Sequence, residues 1–232
     1  MTTAVEPSPE LAALIAWIVA KGPPPAPVID SADLAPGSDH AELVAWIAAD
    51  CPAPPPHLVK METLKYYARA YGCRLFVETG AGIGATTSAL ATLGIECHTI
   101  ELDTPRFHTI KAMFANTPNV AVHHGDSAVV LPQLLGRITQ RALFWLDAHY
   151  SWDGLERAEK ETPIIEEIRS ILDHPVKDHV ILVDDMRLFG NPQGEYYKDY
   201  PTVEQLASMF GNRPVDIEII HDMMRITPRR EI

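Results

Sequence analysis

RLFVETGAGIGATT, residues 74–87, is the stretch that decides the fold. A short apolar run, RLFVE (74–78), reads as a strand. Gly80, Gly82 and Gly84 follow at once, and ATTSALATLG continues as a helix ended by Gly94. Spaced glycines after a strand permit a tight strand-to-helix turn and let a ligand approach the backbone. GAGIGA also fits the dinucleotide pattern G-x-G-x-x-G/A. Glu78, two residues before the first glycine, tells against a pyrophosphate there, because a carboxylate repels phosphates and suits a cationic or amino-bearing ligand.

Downstream the same alternation repeats. ECHTIEL (96–102), VAVHHGD, ALFWLDA (142–148) and HVILVDD (179–185) read as strands. Between them lie PRFHTIKAMFAN with Pro105 at its first position, SAVVLPQLLG with a kink expected at Pro132, and TPIIEEIRSILDH with Thr162 as cap and Pro163 at the first position. TVEQLASMFG is a further helix, and VDIEIIHDMMRITPR closes the chain as two strands or one bent strand. This order predicts an α/β, Rossmann-like, doubly wound and mainly parallel seven-stranded sheet with an antiparallel edge strand. Upstream, METLKYYARAYG reads as a helix ended by Gly72. Eleven of the 20 prolines fall in the first 60 residues. They bracket two short helical patterns, Leu11–Lys21 and Ala41–Asp50, the second with an Asp39/Glu42 capping box. Residues 1–60 are therefore expected to form a Pro-rich helical N-terminal appendage and 61–232 the main domain. Packing or homodimerisation is the expected role of those helices, with a lid over a pocket as the alternative.

Composition sets the class. With 47% hydrophobic and 22% charged residues the 232-residue chain can bury an ordinary core. Acidic residues outnumber basic ones 31 to 19, for a net charge of -12. That balance argues against nucleic acid and anionic membranes as partners, since both are held by Lys and Arg. Cys51, Cys73 and Cys97 have no metal spacing and read as reduced thiols. The start of the chain carries no basic leader, and LAALIAWIVA (11–20) is too short to span a bilayer, so a cytoplasmic location is expected.

Ligands of such sheets bind at the carboxyl ends of the strands, where the chemistry-bearing residues fall. Glu101, 21 residues beyond Gly80, can accept from a ribose diol. Asp126, in Gly125-Asp126-Ser127, either accepts from an adenine amino group or caps the next helix. VETGAGIG, TIELD and HHGDS, in this order, resemble the cofactor motifs of class I S-adenosylmethionine (SAM)-dependent methyltransferases over roughly residues 61–228. The resemblance implies that Glu78, Thr79, Gly80, Gly82, Gly84, Glu101, Asp126 and Ser127 bind SAM, with Glu78 at the methionyl end.

Asp147 ends the fourth strand, and Asp184 and Asp185 end the fifth. Neighbouring strands bring these carboxylates together, where they repel one another unless a cation lies among them. All-oxygen ligands suit Mg²⁺, with Mn²⁺ and Ca²⁺ as alternatives. The arrangement looks like the metal-dependent sugar O-methyltransferases of the macrocin O-methyltransferase type, in which acids at these strand ends hold Mg²⁺. The Ala- and Pro-rich composition extends the resemblance, as an expectation, to mycobacterial enzymes that O-methylate mannosides of polymethylated polysaccharides. The implied reaction is methyl transfer from SAM to a hydroxyl of a small-molecule or oligosaccharide substrate. His149 is the candidate general base, and Asp147 is the alternative. A catechol or phenol O-methyltransferase uses the same metal logic. A metal-dependent phosphoryl hydrolase leaves Glu78 and the glycine loop unexplained, and a NAD-dependent oxidoreductase leaves the acidic pair unexplained. Trp152, as a stacking wall for a sugar ring, and the Tyr-rich segment 191–201 are candidate rim residues, and Arg187 is expected to orient either the carboxylates or the substrate.

Overall fold

The computed structural model describes residues 39–148, 160–193 and 196–229. The expected helix Leu11–Lys21, His149 and Trp152 lie outside the described residues. Seven strands form one sheet: β1 (Leu75–Thr79), β2 (Glu96–Glu101), β3 (Val120–His124), β4 (Leu143–Leu146), β5 (Val180–Val183), β6 (Val215–Ile220) and β7 (Met223–Pro228). Their order is β3-β2-β1-β4-β5-β7-β6, and the first five run parallel. The chain enters at the middle with β1, winds out to β3, then returns to β4. That reversal between β1 and β4 is the switch point at which open sheets of this kind bind ligands. The fold is Rossmann-like, as the alternating pattern predicts. The closing segment is a hairpin whose reversed strand, β7, is inserted against β5, with β6 outside it.

Helices cover both faces. On one side lie α1 (Asp39–Ala48), α2 (His57–Ala70) and α3 (Ala85–Ala91). Leu43, Trp46, Val59, Leu64 and Tyr67 pack with Phe76, Trp145 and Leu182 in one cluster. Burying a side chain of the size of Leu43 or Trp46 stabilises by about 2–3 kcal/mol relative to exposure. The helix expected from Met61 begins at His57, so the boundary expected at residue 60 falls inside α2. On the same side α4 (Thr104–Met113) packs on β2 and β3 through Ile110 and Phe114, against Val120 and Val122, and the remaining helices cover the other face. There α5 (Ser127–Leu135), α6 (Ile164–Asp173) and α7 (Val203–Ser208) bury Leu131, Ile168 and Leu206 with Val77, Phe144 and Val183. Alternation along each strand produces the two clusters: Phe76 and Trp145 face one layer, Val77 and Phe144 the other. Pro132 sits inside α5.

Caps differ in part from expectation. Asp103 caps α4 by accepting from the Arg106 amide at 3.0 Å. Pro163, not Thr162, occupies the N-cap of α6. The Thr162 hydroxyl instead donates to the Ala148 carbonyl at 3.2 Å and ties the segment after β4 back to the strand end. The β6–β7 turn places His221 and Asp222 at φ 51° and 62°, the paired left-handed conformation of a tight hairpin. Asp222 earns its strained backbone through the contacts described below.

Candidate active site at the carboxyl end of the sheet

The glycine loop is built by backbone contacts from three strands. The Gly80 and Ala81 amides both donate to the Ile100 carbonyl, at 3.0 and 3.2 Å. Gly80 has φ +78°, and a Cβ there would lie 2.5 Å from the Asp147 carbonyl oxygen. Only glycine lets the loop lie this close to the chain leaving β4. Gly82 and Gly84 also have positive φ, and Gly84 opens α3 as its N-cap.

Glu101 is fixed beneath this loop. One carboxylate oxygen accepts from the Gly82 amide at 3.0 Å, the other from Asp103 N–H at 2.9 Å. Each oxygen keeps a further lone pair for a diol. Glu78 was expected beside the ligand. The structure places it under the loop, 1% exposed, where one oxygen accepts from the Thr87 hydroxyl at 2.6 Å and the Thr99 hydroxyl at 2.7 Å. Burial pushes its carboxyl up to about 8, against the pull of those hydroxyls. Thr79 is fully buried. Asp126 caps α5 through the Ala128 amide at 2.9 Å, and Ser127 is the first, buried residue of that helix. Below them lies Glu167 of α6, which the sequence reading missed. Among the described residues neither of its oxygens has a hydrogen-bond partner, and burial raises its carboxyl to about 7, offset in part by the neighbouring Ser127 and Thr79 hydroxyls.

The carboxylate cluster stands beside the glycine loop. The Asp147 amide donates to the Thr79 carbonyl at 3.1 Å and the Asp184 amide to the Leu146 carbonyl at 3.1 Å, so the ladder carries both residues one step past the strands. Asp185 follows at φ 58°, and its amide donates to Asp184 Oδ1 at 2.8 Å. Asp147, Asp184 and Asp185 line one cavity of about 10 Å³ together with Thr162, Phe189 and Tyr200. That is room for a single water or ion. The Tyr200 hydroxyl is buried without a hydrogen-bond partner among the described residues.

Among the described residues two cations attend the cluster. Lys60 of α2, also missed in the sequence, places Nζ against Asp184 Oδ2 and 3.6 Å from Asp185 Oδ1. Arg187 donates to Asp185 Oδ1 at 2.7 Å and pairs with Asp222, whose carboxylate also accepts the Arg187 amide at 2.7 Å. The β6–β7 turn is thereby clamped to the site. Asp184 is pushed up to about 8 by burial, then by Asp147 and Asp185, with Lys60 opposing. Asp147, Asp184 and Asp185 offer an all-oxygen donor set. The donor chemistry therefore fits a hard divalent ion. As arranged, no three His, Cys, Asp or Glu side chains among the described residues form a ready metal cage. The Lys60 ammonium sits against the carboxylates instead.

His123 hydrogen-bonds His98 at 2.9 Å, and His124 stacks on Phe107, so both belong to the β2–β3 edge rather than the cluster. All three cysteines are free. No helix among the described residues is long and apolar enough to cross a membrane.

No family model and no curated protein matches the chain. Solved structures share its fold. An O-methyltransferase of Bacillus cereus in complex with S-adenosylhomocysteine is 15% identical, over 85% of this chain and 94% of its own, with a TM-score of 0.54. The O-methyltransferase TomG of Streptomyces achromogenes, solved with SAM, is 16% identical over 84% and 91%, TM-score 0.54. A methyltransferase of Podospora anserina with S-adenosylhomocysteine bound is 12% identical over 99% and 100%, TM-score 0.53.

Proposed function

We propose that the protein is a SAM- and Mg²⁺-dependent O-methyltransferase acting on a hydroxyl of a sugar or similar polyol. The observation that carries this reading is the juxtaposition at Gly80. There a glycine loop of cofactor-binding type touches the backbone of the acid that ends β4, beside the acids that end β5. The fold shared with SAM- and S-adenosylhomocysteine-bound methyltransferases supports it. A hydrolase leaves the loop without a role, and a NAD-dependent oxidoreductase leaves the cluster without one.

In this reading the residues divide the work. Glu101 takes the ribose diol while holding the loop through Gly82. Asp126 and Ser127 frame the adenine. Glu78 supports the loop from beneath through Thr87 and Thr99. Thr79, Gly80, Gly82 and Gly84 give the loop its close backbone approach. Asp147, Asp184 and Asp185 would hold the divalent ion, which when bound supplies Lewis acidity that lowers the pKa of an acceptor hydroxyl. Tyr200 lines this cavity with a hydroxyl that has no partner among the described residues, and an acceptor oxygen that reaches the cluster would meet it. The acceptor oxygen forms its bond to the methyl carbon as the carbon–sulfur bond breaks, and the hydroxyl proton passes to His149 or Asp147. Holding both reactants at one strand end supplies the orientation such a displacement needs. A cytoplasmic, homodimeric enzyme remains part of the proposal.

The test is methyl transfer from labelled SAM to a panel of sugar and phenol acceptors with Mg²⁺ present. Asp147→Ala should abolish transfer while S-adenosylhomocysteine still binds. Normal turnover by Asp147→Ala would remove the proposed site. Turnover of phenols and of no sugar would reassign the substrate class.

A further inference from the structure

Lys60 is delivered to the carboxylate cluster by the buried face of α2. Residues 60, 63/64 and 67 share one side of a helix. Thr63 and Leu64 are fully buried, and Tyr67 lies under the guanidinium of Arg225 on β7, 5.8 Å from ring centre to carbon. With this face packed on the sheet, the helix has one phase, and that phase sets Lys60 over the end of β5. Its side chain is 15% exposed, that of Asp184 1%.

The position is costly for a cation taken alone. Lys60 is the fourth residue of α2, and the first turn holds no acidic residue. The positive end of the helix dipole disfavours an ammonium there. Asp184 and Asp185 supply the compensation from across the layer. Asp184 Oδ1 is occupied by the Asp185 amide, so Oδ2 is the oxygen that faces away from the backbone, and Lys60 holds it. Asp185 Oδ1 is shared between Lys60 and Arg187. The ammonium takes Asp184 Oδ2 and approaches Asp185 Oδ1, two of the oxygens a divalent ion at the cluster would use. A lysine suits an exchangeable role: it is a point charge on a flexible stem, whereas Arg187 is fixed by its two carboxylates and a backbone contact.

We infer that Lys60 is the resident counter-ion of the cluster, and that its ammonium competes with the divalent ion for Asp184 and Asp185. Metal loading requires Lys60 to leave Asp184 Oδ2, and Lys60 thereby sets how tightly the site takes metal. The inference rests on reading the cluster as a divalent-ion site, and the experiment separates the two.

The experiment is titration of the full chain with Mn²⁺, saturated with S-adenosylhomocysteine, following free Mn²⁺ by its electron paramagnetic resonance signal. Wild type, Lys60→Met, Lys60→Arg and Asp184→Asn are compared, with Lys60→Gln as a second neutral variant should Lys60→Met not fold. Removing the ammonium should tighten Mn²⁺ binding at least tenfold. Lys60→Arg, which keeps the charge, should bind no tighter than wild type, and Asp184→Asn should lose the site. A metal-free Lys60→Met chain should melt lower than wild type and gain more from Mn²⁺. Equal or weaker Mn²⁺ binding by both neutral variants, with wild type binding normally, overturns the role of Lys60 and leaves the metal site standing. Absence of Mn²⁺ binding in wild type and neutral variants alike, with S-adenosylhomocysteine still bound, overturns the metal reading and this inference with it.

Discussion

Replacing Gly80 by Ala tests whether the cofactor loop and the acid cluster are one unit. A Cβ at this position would meet the Asp147 carbonyl oxygen at 2.5 Å, its carbon at 2.9 Å and Ala148 Cα at 3.1 Å. All three are backbone atoms, so no side chain can swing aside. The φ of +78° adds the left-handed penalty, about 1–2 kcal/mol for a non-glycine residue. Overpacking against a rigid neighbour adds about 1–3 kcal/mol. The sum, about 2–5 kcal/mol, should lower the melting temperature by roughly 5–15 °C in a domain of this size. Relief of the clash must move the loop away from β4, so S-adenosylhomocysteine affinity should fall with it. Gly82→Ala is the control. Its φ is +56°, but nothing lies within 4 Å of a Cβ there, so it should carry only the backbone penalty. Calorimetric melting and isothermal titration of both variants decide the matter. If Gly80→Ala melts and binds like Gly82→Ala, the close approach to Asp147 has no energetic consequence and the reasoning fails.

Glu167→Gln should stabilise the protein more at pH 8 than at pH 4.5. The buried carboxyl is raised from 4.5 to about 7, so between those values the unfolded chain releases a proton that the folded one retains, and stability falls as pH rises. The amide does not titrate, and its advantage should grow to about 2–3 kcal/mol at pH 8, read from melting curves; a pH-independent difference would contradict it. Arg187→Ala removes one cationic partner of Asp185 and the guanidinium partner of the nearly buried Asp222 side chain and should cost about 1–3 kcal/mol, with the range kept low because Arg187 itself is a third exposed. An unchanged denaturation midpoint would mean the hairpin is not held through it. Tyr200→Phe removes a hydroxyl that has no partner among the described residues, so the melting temperature should stay unchanged while KM for the acceptor rises; a large loss of stability would show that the hydroxyl serves the fold instead.

The order of the sheet was legible because hydrophobic runs alternate with helical patterns, and chemistry-bearing residues stand where each strand stops. Asp147, Asp184 and Asp185 could be placed together from topology alone. Depth was not legible. Strand register puts Glu78 beside Thr99 and Trp145, under α3, where local sequence suggested a ligand-facing acid. Thr162 looked like a helix cap, and the geometry of the segment after β4 gave its hydroxyl to Ala148 instead. Lys60 and Glu167 went unread because their meaning depends on how two helices lie over the sheet. A signal for Lys60 was present: it shares the buried face of α2 with Leu64 and Tyr67 and sits in the first helical turn, where a lysine needs an acidic partner.

What the glycine loop binds decides the function. Isothermal titration of the full chain with S-adenosylhomocysteine, with and without Mg²⁺ and with NAD as the competing ligand, measures it. S-adenosylhomocysteine should bind and NAD should not. Binding of NAD alone would contradict the methyltransferase reading and leave the three strand-end carboxylates to be explained anew.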